Sequence, residues 1–280
     1  MSSTASPLAA LAAPGHWRVL DFISDLHLQA AEPQTVQAWQ QYLARTPADA
    51  VFILGDLFEV WVGDDVLDVP GFEAECALTL HTAAQRCALF FMHGNRDFLL
   101  GQSAARACGM TLLDDPCTLR LGIEKIVLSH GDALCLADTD YMQFRAQVRN
   151  PSWQQAFLAK PLVERVALAQ GLRQQSEARK RSQVVYADVD THAALDMLNT
   201  AQASQMIHGH THKPADHVLA DTNARPNSGL AVKLTGSLIR RVLSDWDATA
   251  RPARLEVLRL VLDNPGGLAK TMRIPLQAAG

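Results

Sequence analysis

The 280-residue chain is short of several things, and each shortage excludes a class of protein. It has five cysteines (Cys76, Cys87, Cys108, Cys117 and Cys135), an odd number with no C-x-x-C spacing and no tight cluster. A disulfide framework needs a denser pattern, so reduced, partly buried thiols in a cytosolic protein are expected. Tyrosine occurs only three times, and the net charge is −4 at a pI near 6.2. Neither a basic footprint nor a row of stacking aromatics is available for nucleic acid, and no nucleic-acid partner is expected. No apolar run approaches the roughly 18 residues that a membrane span requires. The first fifteen residues contain no Lys or Arg, so they lack the positive region of a secretory signal. Residues 1–16 are read as a disordered leader and 17–280 as one globular domain.

What is present is an ordinary globular composition, 48% hydrophobic and 19% charged, with histidines in unusual places. Strand-like apolar runs recur and end alike. Trp17–Ile23 leads into Asp25-Leu26-His27, Ala50–Leu54 into Gly55-Asp56, and Ala88–Met92 into Gly94-Asn95-Arg96-Asp97. Ile126–Leu128 leads into His130-Gly131-Asp132, and Met206–Ile207 into His208-Gly209-His210-Thr211-His212. Helical stretches such as 33–43 and 73–86 lie between these runs, the alternation of an α/β fold. In such folds ligands gather at the carboxyl ends of strands, and every one of these ends carries a candidate metal ligand. Leu255–Leu262 alternates and reads as an edge or closing strand.

Asp25 and His27 share a face of an extended segment, because side chains two apart point the same way. Asp56 follows a glycine that permits a sharp turn. Asn95 adds an amide oxygen, and His130, His210 and His212 add imidazoles. Mixed imidazole and carboxylate donors suit Mn, Fe or Zn better than Ca. Seven donors exceed one tetrahedral ion and fit two metals sharing a bridging carboxylate, the arrangement of phosphoryl chemistry.

Residues 141–181 break the alternation. Trp153, Phe157, Leu158, Leu162, Val166 and Leu172 recur near helical spacing, and eight basic side chains stand against two acidic ones. A basic, amphipathic, helical insertion is expected, spanning about 138–185.

The order D-x-H, GD, GN-x-D, H, GH-x-H resembles the calcineurin-like metallophosphoesterase superfamily. More narrowly, the segments FISDLHL (22–28), ILGDLFE (53–59), GDD (63–65), HGNRDFLLG (93–101) and IHGHTHKP (207–214) resemble the UDP-2,3-diacylglucosamine hydrolase family of lipid A synthesis. The resemblance covers roughly residues 17–217 and implies an α/β sandwich, two sheets flanked by helices, with a helical lid. It implies two manganese ions, one on Asp25, His27 and His212 and the other on Asn95, His130 and His210, with Asp56 bridging; His208 is then not a ligand. Asp56, Arg96 and His130 are the implied catalytic residues, and Asn95, Arg96, Asp138, Ser176, Lys180 and His210 the implied substrate contacts. The implied reaction is hydrolysis of the diphosphate of an acylated UDP-sugar, with attack on the uridine-side phosphorus giving UMP and 2,3-diacylglucosamine 1-phosphate. The implied setting is the cytoplasmic face of the inner membrane, peripherally bound, with no obligate protein partner. Another nucleotide or phosphodiester substrate, and a non-catalytic scaffold on the same fold, are the competing readings.

The wider superfamily has histidine where this chain has Arg96. An arginine cannot be deprotonated in a protein, so it supplies a permanent charge and a planar fork and no general acid. The departing group is a phosphate with a second pKa of about 6, which leaves without a proton. A salt bridge between Arg96 and a local acid such as Asp97 is the bland alternative. Asp64 and Asp65 read equally as supports of the site or as a solvated turn. The family's asparagine four residues after Ser176 is missing, since Lys180 stands there. The resemblance implies that the lid's apolar residues, Trp153, Phe157, Leu158, Leu162 and Val166, wall the acyl chains, and the basic surplus suggests contact with anionic headgroups.

Overall fold

A computed structural model describes residues 8–181, 188–221, 237–263 and 267–277; of 174–181 only the helical backbone is described. Two six-stranded sheets make up the body. The first contains, in spatial order, β12 (Leu268–Pro275), β11 (Glu256–Leu262), β2 (Val19–Ile23), β3 (Ala50–Leu54), β4 (Ala88–Met92) and β5 (Met110–Leu113). The second contains β1 (Ala9–Ala12), β6 (Cys117–Leu121), β7 (Glu124–Ser129), β8 (Gln205–His208), β10 (Ser237–Val242) and β9 (Ala215–Asp221).

Side-chain alternation along the strands assigns each face. Leu20, Phe22, Phe52, Leu54, Phe90 and Met92 meet Leu119, Ile126, Leu128 and Ile207 between the sheets. The register pairs Phe22 with Phe52 and Phe52 with Phe90, so the three rings stack at 4.8 Å and 11° across neighbouring strands. The opposite face of β2–β4 carries Ile23, Val51, Ile53, Leu89 and Phe91 and is covered by helices α1 (Pro33–Arg45) and α2 (Phe72–Ala84) and the short α3 (Gln102–Ala107). In α1, Thr35, Ala38, Trp39, Tyr42 and Leu43 are buried, an apolar stripe at the 3.6 period that starts after Pro33 at the first helical position. The outer face of the second sheet is covered by α7 (Thr191–Ala201) through Ala194 and Leu198. All five cysteines are buried and free.

Two expectations are corrected. Ala9–Ala12 does not belong to a disordered leader; it forms the parallel edge strand β1 against β6, with Leu11 packed on the inter-sheet core. Three alanines and one leucine suffice there because β6 supplies the pairing, a contact no local pattern announces. Nor does β11 lie at an edge: β12 pairs along its outer side and β2 along its inner side. The polar alternation of β12 hides it as a strand, since an edge strand is solvated on one side.

Residues 139–181 form α4 (Thr139–Val148), α5 (Pro151–Leu158) and α6 (Leu162–Arg181). Strands β2, β3 and β4 run parallel in one sheet and β7 and β8 parallel in the other, so five carboxyl ends face the same region.

Candidate metal centre

Each of those five ends releases one or two polar side chains. Among the described residues six non-glycine positions have positive φ, and five of them are Asp25 (55°), His27 (49°), Asp56 (53°), His210 (68°) and His212 (53°). A left-handed residue costs energy unless its surroundings impose it, and clusters of such strain gather at functional sites. Here it turns the chain off the ends of β2, β3 and β8 and aims these side chains inward. Gly94 and Gly209 permit the crowding, because a Cβ would come within 2.1 Å of Asp56 Oδ1 and 2.0 Å of Ser24 Oγ respectively.

The seven sequence-selected side chains lie together. His212 Nε2 is 3.3 Å from Asp25 Oδ1 and 3.4 Å from His27 Nε2. Asn95 Oδ1 is 3.1 Å from His130 Nε2 and 2.9 Å from His210 Nδ1. Asp56 stands between the two groups, with Oδ2 3.9 Å from His27 Nε2 and Oδ1 3.8 Å from His130 Nε2. Donor atoms of Asp25, His27 and His212, and again of Asp25, Asp56 and His130, converge within 4.8 Å. The Asp25 Oδ1 atom is buried and accepts no hydrogen bond. A buried carboxylate oxygen with no hydrogen-bond donor, beside imidazole nitrogens that face one another, is what a cation-binding donor set looks like. The residues present therefore fit a two-metal centre.

The surroundings orient these donors. His130 Nδ1 lies 2.9 Å from the Leu54 carbonyl and donates to it, which turns Nε2 inward. His27 Nδ1 lies 3.1 Å from Glu59 Oε2, and His212 Nδ1 3.7 Å from Asp245 Oδ2. Burial opposes a charge on His130, but the carboxylates of Asp56, Asp25 and Asp132 outweigh it and raise its pKa to about 9. Burial and the neighbouring His130 push His210 down to about 4. Asp25 is fully buried, yet His212, His130 and His27 hold its carboxyl well below the carboxylate range. The field that retains a proton on His130 is the field that would attract a metal cation.

The calcineurin-like phosphoesterase family model matches residues 19–214. UDP-2,3-diacylglucosamine hydrolase of Chromohalobacter salexigens is 41% identical over 87% of this chain and 93% of its own length. The enzyme of that name from Chromobacterium violaceum is 46% identical over 74% and 87%. The chain belongs to the UDP-2,3-diacylglucosamine hydrolase branch of the calcineurin-like phosphoesterases. Among solved structures, the E. coli phosphoesterase Yfce is 13% identical with a TM-score of 0.41, covering 91% of this chain and 98% of that one.

Other selected residues of this phosphoesterase divide differently. Arg96 does not pair with Asp97: its Nη1 lies 3.4 Å from Glu59 Oε1, and its backbone N–H donates to Asp56 Oδ1 at 2.8 Å. Asp97 is buried and accepts backbone N–H bonds from Gly94, Asp56, Leu57 and Phe58, which ties two strand-end loops together. Burial and the nearby Asp56 carboxylate push it up to about 7. Asp64 is a support of that kind, accepting from Trp61 Nε1 and from the N–H groups of Gly101 and Ala104. Asp65 pairs with Arg165. Asp138 caps α4 by accepting the Tyr141 N–H at 3.0 Å. The side chains of Ser176 and Lys180 lie outside the described residues. His208 sits buried at the end of β8, away from both donor groups, with Nδ1 2.8 Å from the Gly209 carbonyl.

Sequence reasoning missed Glu59, Asp97 and Asp245 as supports of the site. Glu59 left one trace, a carboxylate inside the otherwise apolar stretch Leu57–Val62.

Proposed function

We propose that this phosphoesterase hydrolyses UDP-2,3-diacylglucosamine, adding water to the uridine-side phosphorus and releasing UMP and 2,3-diacylglucosamine 1-phosphate. The observation that carries the proposal is the meeting of seven donor side chains beside an arginine held at the rim, in a chain 41–46% identical to enzymes of that name. Asp25, His27 and His212 would hold one manganese ion and Asn95, His130 and His210 the other, with Asp56 shared. Such ions lower the pKa of a water and offset charge on phosphoryl oxygens.

The chain's own contribution is positioning. Arg96 cannot give up a proton, so it acts by charge on the diphosphate through its planar fork. No acid is needed opposite it, because the leaving sugar phosphate departs as an anion. The α4–α6 insertion is read as the lid over the acyl chains. Burying each methylene contributes about 0.8 kcal/mol, which gives an apolar chamber strong preference for acylated substrate. No described helix is long and apolar enough to cross a membrane. A lipid substrate supports a peripheral setting for the enzyme, at the cytoplasmic face of the inner membrane.

Hydrolysis in ¹⁸O-water tests the chemistry. The label is expected in UMP and absent from the sugar phosphate, with product formation reduced at least a hundredfold in Asp56→Ala. Label in the sugar phosphate would reverse the direction of attack, and no UMP at all would assign a different substrate.

A further inference from the structure

Glu59 follows β3 by five residues, and its backbone is fixed by its N–H donating to the Leu28 carbonyl at 3.1 Å, beside an isolated parallel bridge between Leu28 and Phe58. This carries the β2–β3 pairing beyond the strands and brings the carboxylate against His27. Only 8% of Glu59 is exposed. Its two oxygens are divided: Oε2 lies 3.1 Å from His27 Nδ1, while Oε1 lies 3.4 Å from Arg96 Nη1 and 3.1 Å from Arg173 Nε. One nearly buried carboxylate thus contacts a candidate metal ligand, the arginine at the rim and the helix α6 of the insertion. Arg173 also donates to Gln29 Oε1 at 3.3 Å, on the loop that follows His27.

We propose that Glu59 is a positioning residue with two tasks. Its charge stands against His27 Nδ1, a buried nitrogen with no directed hydrogen bond of its own, and so keeps Nε2 turned to the metal centre, and it gathers Arg96 and Arg173 so that the seating of the insertion is coupled to that centre. The coupling rests on the reading of the site as a two-metal phosphoesterase. The physical case is that two guanidiniums and an imidazole converge on this one nearly buried carboxylate, whose charge offsets theirs. An amide cannot replace Glu59, because its single acceptor oxygen can serve either His27 or the arginines, and its NH2 group repels guanidinium donors. Carboxylates that hold the far nitrogen of a ligating histidine typically carry 10–100-fold in metal affinity.

The test is calorimetric titration of metal-free protein with Mn²⁺, beside steady-state kinetics on the acylated UDP-sugar. Glu59→Gln is expected to weaken one of two Mn²⁺ sites by about 10–100-fold and to lower kcat, with a cooperative thermal unfolding transition retained. Glu59→Asp, which keeps the charge but loses reach, should fall between Gln and the wild type. Arg173→Gln should leave Mn²⁺ affinity alone and raise KM several-fold. Folded Glu59→Gln protein that binds Mn²⁺ within twofold of wild type would overturn the first task, and an unchanged KM in Arg173→Gln the second. If Glu59→Gln does not fold, Glu59→Asp decides the first task by the same titration. A wild type that binds two Mn²⁺ without turning over the acylated UDP-sugar would sink the proposed substrate and leave the metal titration to decide Glu59.

Discussion

Asp25, His27, Asp56, His210 and His212 are held in left-handed backbone that non-glycine residues seldom adopt. Such strain persists because neighbouring strand ends over-determine it. His208, buried at the end of β8, belongs to neither donor group. Burial and the nearby Arg240 cation push His208 down to about 4. Its folded pKa is therefore below the ordinary value, so its contribution is complete above about pH 6.5 and is lost as pH falls toward 4. In metal-free protein, the stability advantage of wild type over His208→Gln should shrink from pH 7 to pH 5, approaching a slope of about 1.4 kcal/mol per pH unit at the acid end. Urea unfolding at both pH values measures it, and a difference independent of pH would show that His208 does not titrate on unfolding. The donor residues were legible in the sequence because each sits within three residues of a partner donor or a glycine at a strand end. Asp97 and Asp245 were not, because they act across loops: Asp97 on the backbone of residues 56–58, and Asp245 on a histidine 33 positions earlier.

At the scale of elements, part of the insertion's charge has a task inside the molecule. Four of its arginines reach back to the body. Arg145 donates to Asp132 at 2.8 Å, Arg149 to the Gly94 carbonyl at 2.8 Å, Arg165 to the Val62 carbonyl and Asp65, and Arg173 pairs with Glu59. Lys160 pairs with Glu164 within the insertion. The apolar positions also divide. Phe157, Trp153 and Leu162 pack against the body's core, while Leu158, Val163, Val166, Leu168 and Leu172 remain exposed. These four arginines thus fasten the insertion down, while the side chains of Arg179, Lys180 and Arg181 lie outside the described residues. Arg165 is the deepest fastening, only 2% exposed. Arg165→Met should lower stability by about 2–4 kcal/mol, since it removes several charged hydrogen bonds, and should hasten proteolysis within residues 139–173. Denaturant melts and limited proteolysis read this, and unchanged values would mean the insertion is held by its apolar contacts alone. Val163→Glu with Leu168→Glu should reduce flotation with phospholipid vesicles several-fold; equal flotation would remove these residues from the membrane reading. The helical period was visible in the sequence. The inward turn of the arginines was not, because charge alone does not reveal which side of a helix meets a carboxylate.

At the scale of the molecule, two sheets pack face to face and bring five parallel strand ends to one place, so that donors spread over nearly 190 residues act together. The α/β alternation was readable from the strand runs and the sandwich followed from the family resemblance, whereas β1 and β12, without the clean apolar–polar alternation of a half-buried strand, became visible only through their partners. A centre assembled from both sheets links metal binding to folding. With Mn²⁺ at about 100 times its dissociation constant, stability should rise by about 3 kcal/mol and the thermal midpoint by roughly 6–12 °C, and EDTA should reverse the shift. A midpoint indifferent to Mn²⁺ and EDTA would deny that the donors hold metal in the folded chain.

The most direct measurement of the central claim compares UMP release by Mn²⁺-loaded protein from UDP-2,3-diacylglucosamine and from unacylated UDP-glucosamine. The two substrates share the diphosphate and differ in the acyl chains, so one assay examines the metal centre and the insertion together. Release from the acylated substrate alone, abolished in His130→Ala, is the predicted result. Equal turnover of the two substrates would contradict the acyl-binding role of the insertion, and no turnover of either by folded, metal-loaded protein would contradict the assignment itself.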